Sequence, residues 1–244
     1  MSKIIHHPSP NWNERPDDSV IDTVVLHYTG MDSGEAALRR LCDAAAEVSA
    51  HYLVEEDGRI FSLVAEEKRA WHAGVSHWRG RDNLNHSSIG IELVNPGHEF
   101  GYQPFPDVQV ESLLTLLEAI HARHHIPAYG YVGHSDIAPG RKQDPGELFP
   151  WKRLVAEGFG LWSSHDGSDT TVLAERGQKN ANVMKFNQQL GIVGYHTGDL
   201  QSFDATTEFA VRAFQAHWRP EIVSGQIDFG TASILEDIAA QSGQ

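Results

Sequence analysis

The sequence predicts an α/β layer architecture followed by a small all-α domain. Three observations carry this reading. Between residues 21 and 160, apolar runs rich in β-branched residues alternate with segments of helical spacing. The stretch 161–180 is polar, lacks any core pattern and reads as a linker. Beyond it, 181–244 holds three short helical patterns, enough for a small unit of its own.

Residues 1–20 form a Pro-punctuated arm, since Pro8, Pro10 and Pro16 forbid a regular helix. Asp22 to Tyr28 reads as a buried strand carrying His27 near its C-terminal end, and Gly34 to Ala46 as a helix. Ser49 to Val54 and Ile60 to Val64 read as strands joined by the turn Glu56-Asp57-Gly58-Arg59. Residues 71–88 show no period and predict a long surface loop. Ser88 to Val94 reads as a central strand with Glu92 embedded in it, and Pro106 to His124 as a strongly amphipathic helix. Tyr129 to His134 gives another strand ending in histidine. The segment Ser135 to Pro150 is too rich in Pro and Gly to be regular, and Trp151 starts a closing helix. In the C-terminal part, Asn182 to Leu190 and Thr206 to Trp218 are helical. Thr206 is the expected N-cap of the latter, and Phe209, Ala210, Ala213, Phe214 and His217 share one face. A turn at Gly225 feeds a last helix to about Ala240.

The chain has 244 residues and carries 19 Lys and Arg against 33 Asp and Glu, a net charge of −14. That balance argues against nucleic-acid and anionic-membrane surfaces, which need clustered cations. The single cysteine, Cys42, excludes an intrachain disulfide and a Cys-rich zinc module. No run approaches the ~20 apolar residues that span a bilayer. The N-terminus shows neither an apolar signal core nor a lipid-attachment cysteine, which points to the cytoplasm, with the cell envelope as the alternative if a leader has been removed. A monomer is expected. The unusual feature is 15 histidines.

Two of these, His27 and His134, end predicted strands, and Asp144 follows the second across a Pro/Gly loop. Three N/O donors with one open position is the arrangement of a catalytic zinc, although other first-row metals accept the same donors. A structural histidine at a strand end is the bland alternative for each, and spacing alone leaves the matter even. Glu92 tips it. An isolated carboxylate in an apolar strand is costly, so it is either paired with a buried donor or is a base with a raised pKa, able to take a proton from an acidified water. Lys142 is either a solvated lysine or an ammonium placed where an oxyanion develops.

Five blocks then carry a resemblance. Leu26-His27-Tyr28-Thr29, Ser49-Ala50-His51-Tyr52-Leu53-Val54, Ala70-Trp71-His72-Ala73-Gly74, Ser88-Ile89-Gly90-Ile91-Glu92 and the run from Gly133 to Gly146 are similar, in order, to the zinc-dependent N-acetylmuramoyl-L-alanine amidases. The resemblance covers about residues 5–160. It implies a mixed central sheet flanked by helices, one zinc ion in a groove, and hydrolysis of the amide between N-acetylmuramic acid, or its 1,6-anhydro form, and L-alanine of the stem peptide. It also implies metal ligands at His27, His134 and Asp144, a general base at Glu92 and an oxyanion-stabilising Lys142. Phage-type members have Cys as third ligand and a catalytic Tyr before the second-block histidine. Here Asp144 and Ala50 stand in those places, as in the AmpD and AmiD branch for the former, and the base work falls to Glu92.

The loop residues Trp71, His72, Trp78, Arg81 and Asn85, together with Arg79 and Asn83, are candidates for gripping sugar and peptide through aromatic stacking and bidentate arginine contacts. His51 reads as structural, while His72 either shapes the groove or braces the loop. The tail, from Leu190-Gly191 through Ala213-Phe214-Gln215 to Ile227-Asp228, is similar to the three-helix peptidoglycan-binding module, with a purely packing domain as the alternative. In it, Tyr195, Phe203 and Trp218 are equally suited to core and to ligand. Two rival functions remain at this level: a recognition protein that binds peptidoglycan uncut, and a metal-dependent endopeptidase of the stem peptide. Within the amidase reading, the substrate is either recycled anhydromuropeptide or polymeric peptidoglycan.

Overall fold

The computed structural model describes residues 4–243. Its first half builds a six-stranded mixed sheet. In chain order the elements begin with β1 (Ile4–His6), β2 (Trp12–Glu14), β3 (Thr23–Tyr28), α1 (Gly34–Leu41), β4 (Tyr52–Val54), β5 (Ile60–Ser62) and β6 (Lys68–Ala70). They continue with β7 (His77–Trp78), β8 (Arg81–Asp82), β9 (Ser88–Leu93), α2 (Gly97–Phe100), α3 (Asp107–His124), β10 (Tyr131–Gly133), α4 (His134–Ile137) and α5 (Trp151–Ala156). The sheet order is β1-β5-β4-β9-β3-β10. Only the β4–β5 hairpin is antiparallel within it; β10, β3, β9 and β4 run parallel. The N-terminal arm is not free, because β1 extends the sheet edge beside β5 and β2 pairs with β6.

Side-chain alternation along the central strands sorts chemistry from packing. Val24 and Leu26 of β3, with Ile89, Ile91 and Leu93 of β9, pack against Val110, Leu113, Leu117 and Ile120 of α3, whose spacing places them on one helical face. The same helix buries Gln109, whose amide donates to the carbonyls of Val54 and Val94. The residues between, Val25 and His27 in β3 and Gly90 and Glu92 in β9, therefore face the opposite side.

The C-terminal part comprises β11 (Val172–Ala174), α6 (Ala181–Val193), α7 (Ala205–Trp218), β12 (Ile227–Asp228) and α8 (Phe229–Ser242). Its apolar core is continuous with that of the sheet: Val25, Trp78 and Val132 share one cluster with Leu190, Phe214, Trp218 and Leu235. A buried carboxylate joins the two parts. Asp136 in α4 accepts from Tyr195 Oη and from His217 Nδ1 (2.7 Å), and the His217 ring lies stacked between Trp151 and Trp218.

Several expectations need correction. Residues 71–88 are not an irregular loop: β7 and β8 form a two-residue hairpin, in which Arg79 and Gly80 both take positive φ, as a type I′ turn requires. Residues 134–137 are helical. Within the expected linker 161–180, Val172–Ala174 pairs with β12. The N-cap of α7 is Asp204, whose carboxylate accepts from Thr207 N–H (3.0 Å), rather than Thr206. On α7, Ala210, Ala213, Phe214 and His217 are buried as their spacing requires, but Phe209 is 41 % exposed. Tyr195, Phe203 and Trp218 all belong to the core.

Candidate active site

Three chain-distant donors meet on the sheet face opposite α3. His27 comes from the C-terminal end of β3, and His134 follows directly on β10, its neighbour in the sheet. Asp144 is brought back by the 138–146 loop, where its carbonyl accepts from Ser135 N–H (2.8 Å). His27 Nδ1 and His134 Nδ1 lie 2.9 Å apart, and each lies 3.0 Å from Asp144 Oδ2. All three residues are buried.

The outer ring nitrogens decide what these atoms carry. His134 Nε2 lies 3.1 Å from the Ala73 carbonyl, an acceptor only, and 3.3 Å from Arg141 Nη2, whose two protons go to the Ala73 and Val75 carbonyls, so Nε2 holds the proton and Nδ1 is bare. His27 Nε2 faces His72 Nδ1 at 3.0 Å. Burial and the neighbouring His134 press the His27 pKa down to about 4, so its ring is neutral. Asp144 is held well below the usual carboxylate range by the two imidazoles, which outweigh its burial. Three lone-pair atoms thus converge with one net negative charge. A cation is what such a donor set lacks, and the cluster could hold a metal ion with imidazole and carboxylate donors.

Glu92 stands beside it. In the parallel β3–β9 ladder His27 pairs with Glu92, so the two side chains project from neighbouring positions on the same face. Glu92 Oε2 is buried and finds no hydrogen-bond partner among the described residues. Burial, and then the nearby Asp144 charge, raise its pKa well above the ordinary value, with Lys142 opposing. The buried-pair explanation for this carboxylate is therefore not realised. A cavity of about 410 Å³ opens over the centre and is lined by His27, Glu92, His134, Lys142 and Asp144, with Trp71 and His72 on its wall.

The remaining expected substrate contacts divide. Trp71 and His72 reach the cavity. Trp78 does not: its indole is 1 % exposed, locked edge-on to Tyr195 at the junction with the C-terminal helices. Arg79 likewise serves packing, donating to Ile192 O and Val193 O at the end of α6. Arg81 is engaged with Asp22, both carboxylate oxygens lying within 3.0 Å of Nη1. Asn85 is buried, and its Oδ1 accepts from His72 N–H (3.1 Å) and Ala73 N–H (2.8 Å). It shapes the loop. His51 is structural: its Nδ1 accepts from Gly90 N–H (2.9 Å) and its Nε2 donates to Lys68 O (3.1 Å). Ala50 is fully buried.

Sequence reasoning missed Arg141, whose guanidinium donates to Ala73 O and Val75 O (both 2.7 Å) and so ties the ligand loop to the 72–75 segment. It also missed Tyr28 and His98, hydrogen-bonded at 2.9 Å on the cavity rim. No spacing signal marks them, because their proximity is created by the sheet.

This fold and donor set define an α/β protein with a candidate metal site at the mouth of a cavity. Residues 17–147 match the family model described as N-acetylmuramoyl-L-alanine amidase. The chain is 36 % identical over 237 residues to the N-acetylmuramoyl-L-alanine amidase AmiD of Escherichia coli, covering 92 % of this chain and 84 % of that one. It is 36 % identical over 168 residues to the 1,6-anhydro-N-acetylmuramyl-L-alanine amidase AmpD of Enterobacter cloacae, covering 62 % of this chain and 88 % of that one. The structure of E. coli AmiD in complex with anhydro-N-acetylmuramic acid-L-Ala-D-γ-Glu-L-Lys superimposes with a TM-score of 0.80 at 33 % identity, covering 95 % of this chain and 94 % of that one. AmpDh3 of Pseudomonas aeruginosa in complex with anhydromuramic pentapeptide gives 0.77 at 34 % identity, covering 96 % and 98 %.

The chain belongs to the N-acetylmuramoyl-L-alanine amidase family. It is a hydrolase of the amide that joins N-acetylmuramic acid to L-alanine of the stem peptide. Among the described residues no helix is long and apolar enough to cross a membrane.

Proposed function

We propose that the protein is a zinc amidase that releases stem peptides from anhydromuropeptides, with one ion held by His27, His134 and Asp144. The observation that carries this reading is the triangle of bare donor atoms 2.9–3.0 Å apart, open on its cavity side. Zinc bound there supplies Lewis acidity, polarising the scissile carbonyl and lowering the pKa of a water. Glu92 takes the proton of the attacking water, for which its unpartnered, burial-raised carboxylate is suited. Lys142, on the cavity wall, stabilises the oxyanion of the tetrahedral intermediate. Glu92 then returns the proton to the leaving L-alanine nitrogen. Trp71 and His72 shape the groove. Every one of these groups comes from a single chain, so a monomer suffices.

The preference for anhydromuropeptides rests on the two similar structures that hold such ligands. For the C-terminal unit, the packing favours a fixed flank of the groove over an independent binding module. Phe209 and Arg212 of α7 line a second cavity of about 410 Å³ together with Arg141, Lys142 and Gln143. Incubating the purified protein with intact sacculi and with anhydromuropeptides, with and without chelator, tests the proposal by mass spectrometry. Free L-Ala-initiated peptides arising faster from anhydromuropeptides, and only without chelator, are expected. Equal or faster release from sacculi overturns the substrate preference, and products cut inside the stem peptide overturn the bond assignment.

A further inference from the structure

A chain of hydrogen bonds leaves the metal site through His27 and ends on a backbone carbonyl, and its far end determines every proton along it. The Leu84 carbonyl can only accept, so Ser88 Oγ–H donates to it (2.6 Å). Ser88 Oγ then accepts from His72 Nε2–H (3.1 Å). That leaves His72 Nδ1 bare, and it accepts the Nε2–H of His27 (3.0 Å). The consequence at the inner end is a His27 whose Nδ1 lone pair faces His134 and Asp144. His72 is buried, and the fold makes room for it at Gly90: a Cβ there would lie 2.6 Å from His72 Nδ1.

The same two-residue step serves the second imidazole. The Ala73 carbonyl accepts from His134 Nε2–H, and Asn85 Oδ1 pins the backbone N–H groups of both His72 and Ala73. Residues 72 and 73 therefore set the tautomers of His27 and His134 together.

We propose that His72 is a positioning residue for the metal site, fixing through its Nδ1 the tautomer and ring orientation in which His27 presents Nδ1 to a metal. This rests on the reading of His27 as a ligand. Outer partners of metal-bound imidazoles are worth about 10–100-fold in metal affinity. His72→Phe fills the space without an acceptor. His72→Asn keeps an acceptor, because its Oδ1 occupies nearly the place of Nδ1. Zinc affinity, measured by competition with a chromophoric chelator, should fall about 10–100-fold in His72→Phe and return to near the wild-type value in His72→Asn. In wild-type zinc-loaded protein with ¹⁵N-labelled histidine, the long-range ¹H–¹⁵N spectrum should show His27 protonated on Nε2 alone. Wild-type affinity in His72→Phe, failure of His72→Asn to recover affinity, or a His27 protonated on Nδ1 would overturn the proposal. The spectrum needs no variant, so it decides even where His72→Phe does not fold. His27→Ala is the control that separates the two levels. If it also binds zinc like the wild type, the ligand assignment itself is at fault; if it loses zinc while His72→Phe does not, only the positioning role fails.

Discussion

His27 and Glu92 are register partners on the adjacent parallel strands β3 and β9, a candidate metal donor and a buried carboxylate set side by side by backbone hydrogen bonding. Because both strands are buried in the sheet centre, the spacing does not depend on any loop. The arrangement is costly for the fold: Glu92 Oε2 has no hydrogen-bond partner among the described residues, and ionising it in this place is opposed by burial and by Asp144. That cost is what the proposed role of general base would explain, since an apolar residue would pack there without it.

Glu92→Gln therefore has opposite effects on activity and on stability. Turnover should fall by about 10²–10⁴, the usual contribution of a general base, while zinc content is retained. The Glu92 pKa is raised by folding, so its contribution to stability is full below the unfolded value and is lost as pH rises through the folded one. At neutral pH the metal-free Gln variant should be more stable than the metal-free wild type. Kinetics on an anhydromuropeptide and urea denaturation check the two halves.

The buried histidines give acid sensitivity. Burial first, and then Arg15, lower the His51 pKa to about 3. Burial also lowers His27, to about 4, and takes His72 well down. Each is neutral in the fold but protonates near 6.5 once unfolded, so stability is complete above that pH and drains away as pH falls towards the folded values. Metal-free protein should lose at least about 1.4 kcal/mol per pH unit below pH 6, one neutral histidine's worth. Urea unfolding at pH 7, 6 and 5 measures it; a flat profile would contradict the neutral assignment.

Gly90→Ala should disturb the site without touching a donor. The new methyl group would overlap the His72 ring, and overpacking of this kind costs about 1–3 kcal/mol. Lower Tm together with weaker zinc binding is the expected pair of results.

The C-terminal helices should not unfold on their own. Their core runs into that of the sheet, and Asp136 is satisfied only across the junction by Tyr195 and His217 besides its local Gly133 N–H. His217→Ala removes a donor from that buried carboxylate and opens a gap between two indole rings, a loss of about 2–5 kcal/mol. Calorimetry should show one transition for wild type and variant alike. Two resolved transitions would mean separable domains.

How much of this was legible beforehand depended on range. His27 and His134 were legible as candidates because they end predicted strands, Asp144 because a Pro/Gly loop carries it back towards His134, and Glu92 because a carboxylate interrupts an apolar run. Trp78 and Asn85 were misread: by type they suit a substrate groove, but Trp78 is covered by residues more than a hundred positions away, and Asn85 is consumed by two backbone N–H groups. The β7–β8 hairpin escaped notice because Arg79-Gly80 lacks the Asn-Gly or Asp-Gly signature of its turn. His72 was visible as a candidate, but only its neighbours in space reveal which way its protons run.

The central claim is that His27, His134 and Asp144 hold the ion on which hydrolysis depends. Elemental analysis and anhydromuropeptide turnover, performed on the same samples of wild type, His27→Ala and Asp144→Ala, test it most directly. The account predicts one zinc per chain in the wild type, with zinc and turnover lost together in both variants. Turnover that persists in protein shown to be free of metal would contradict it.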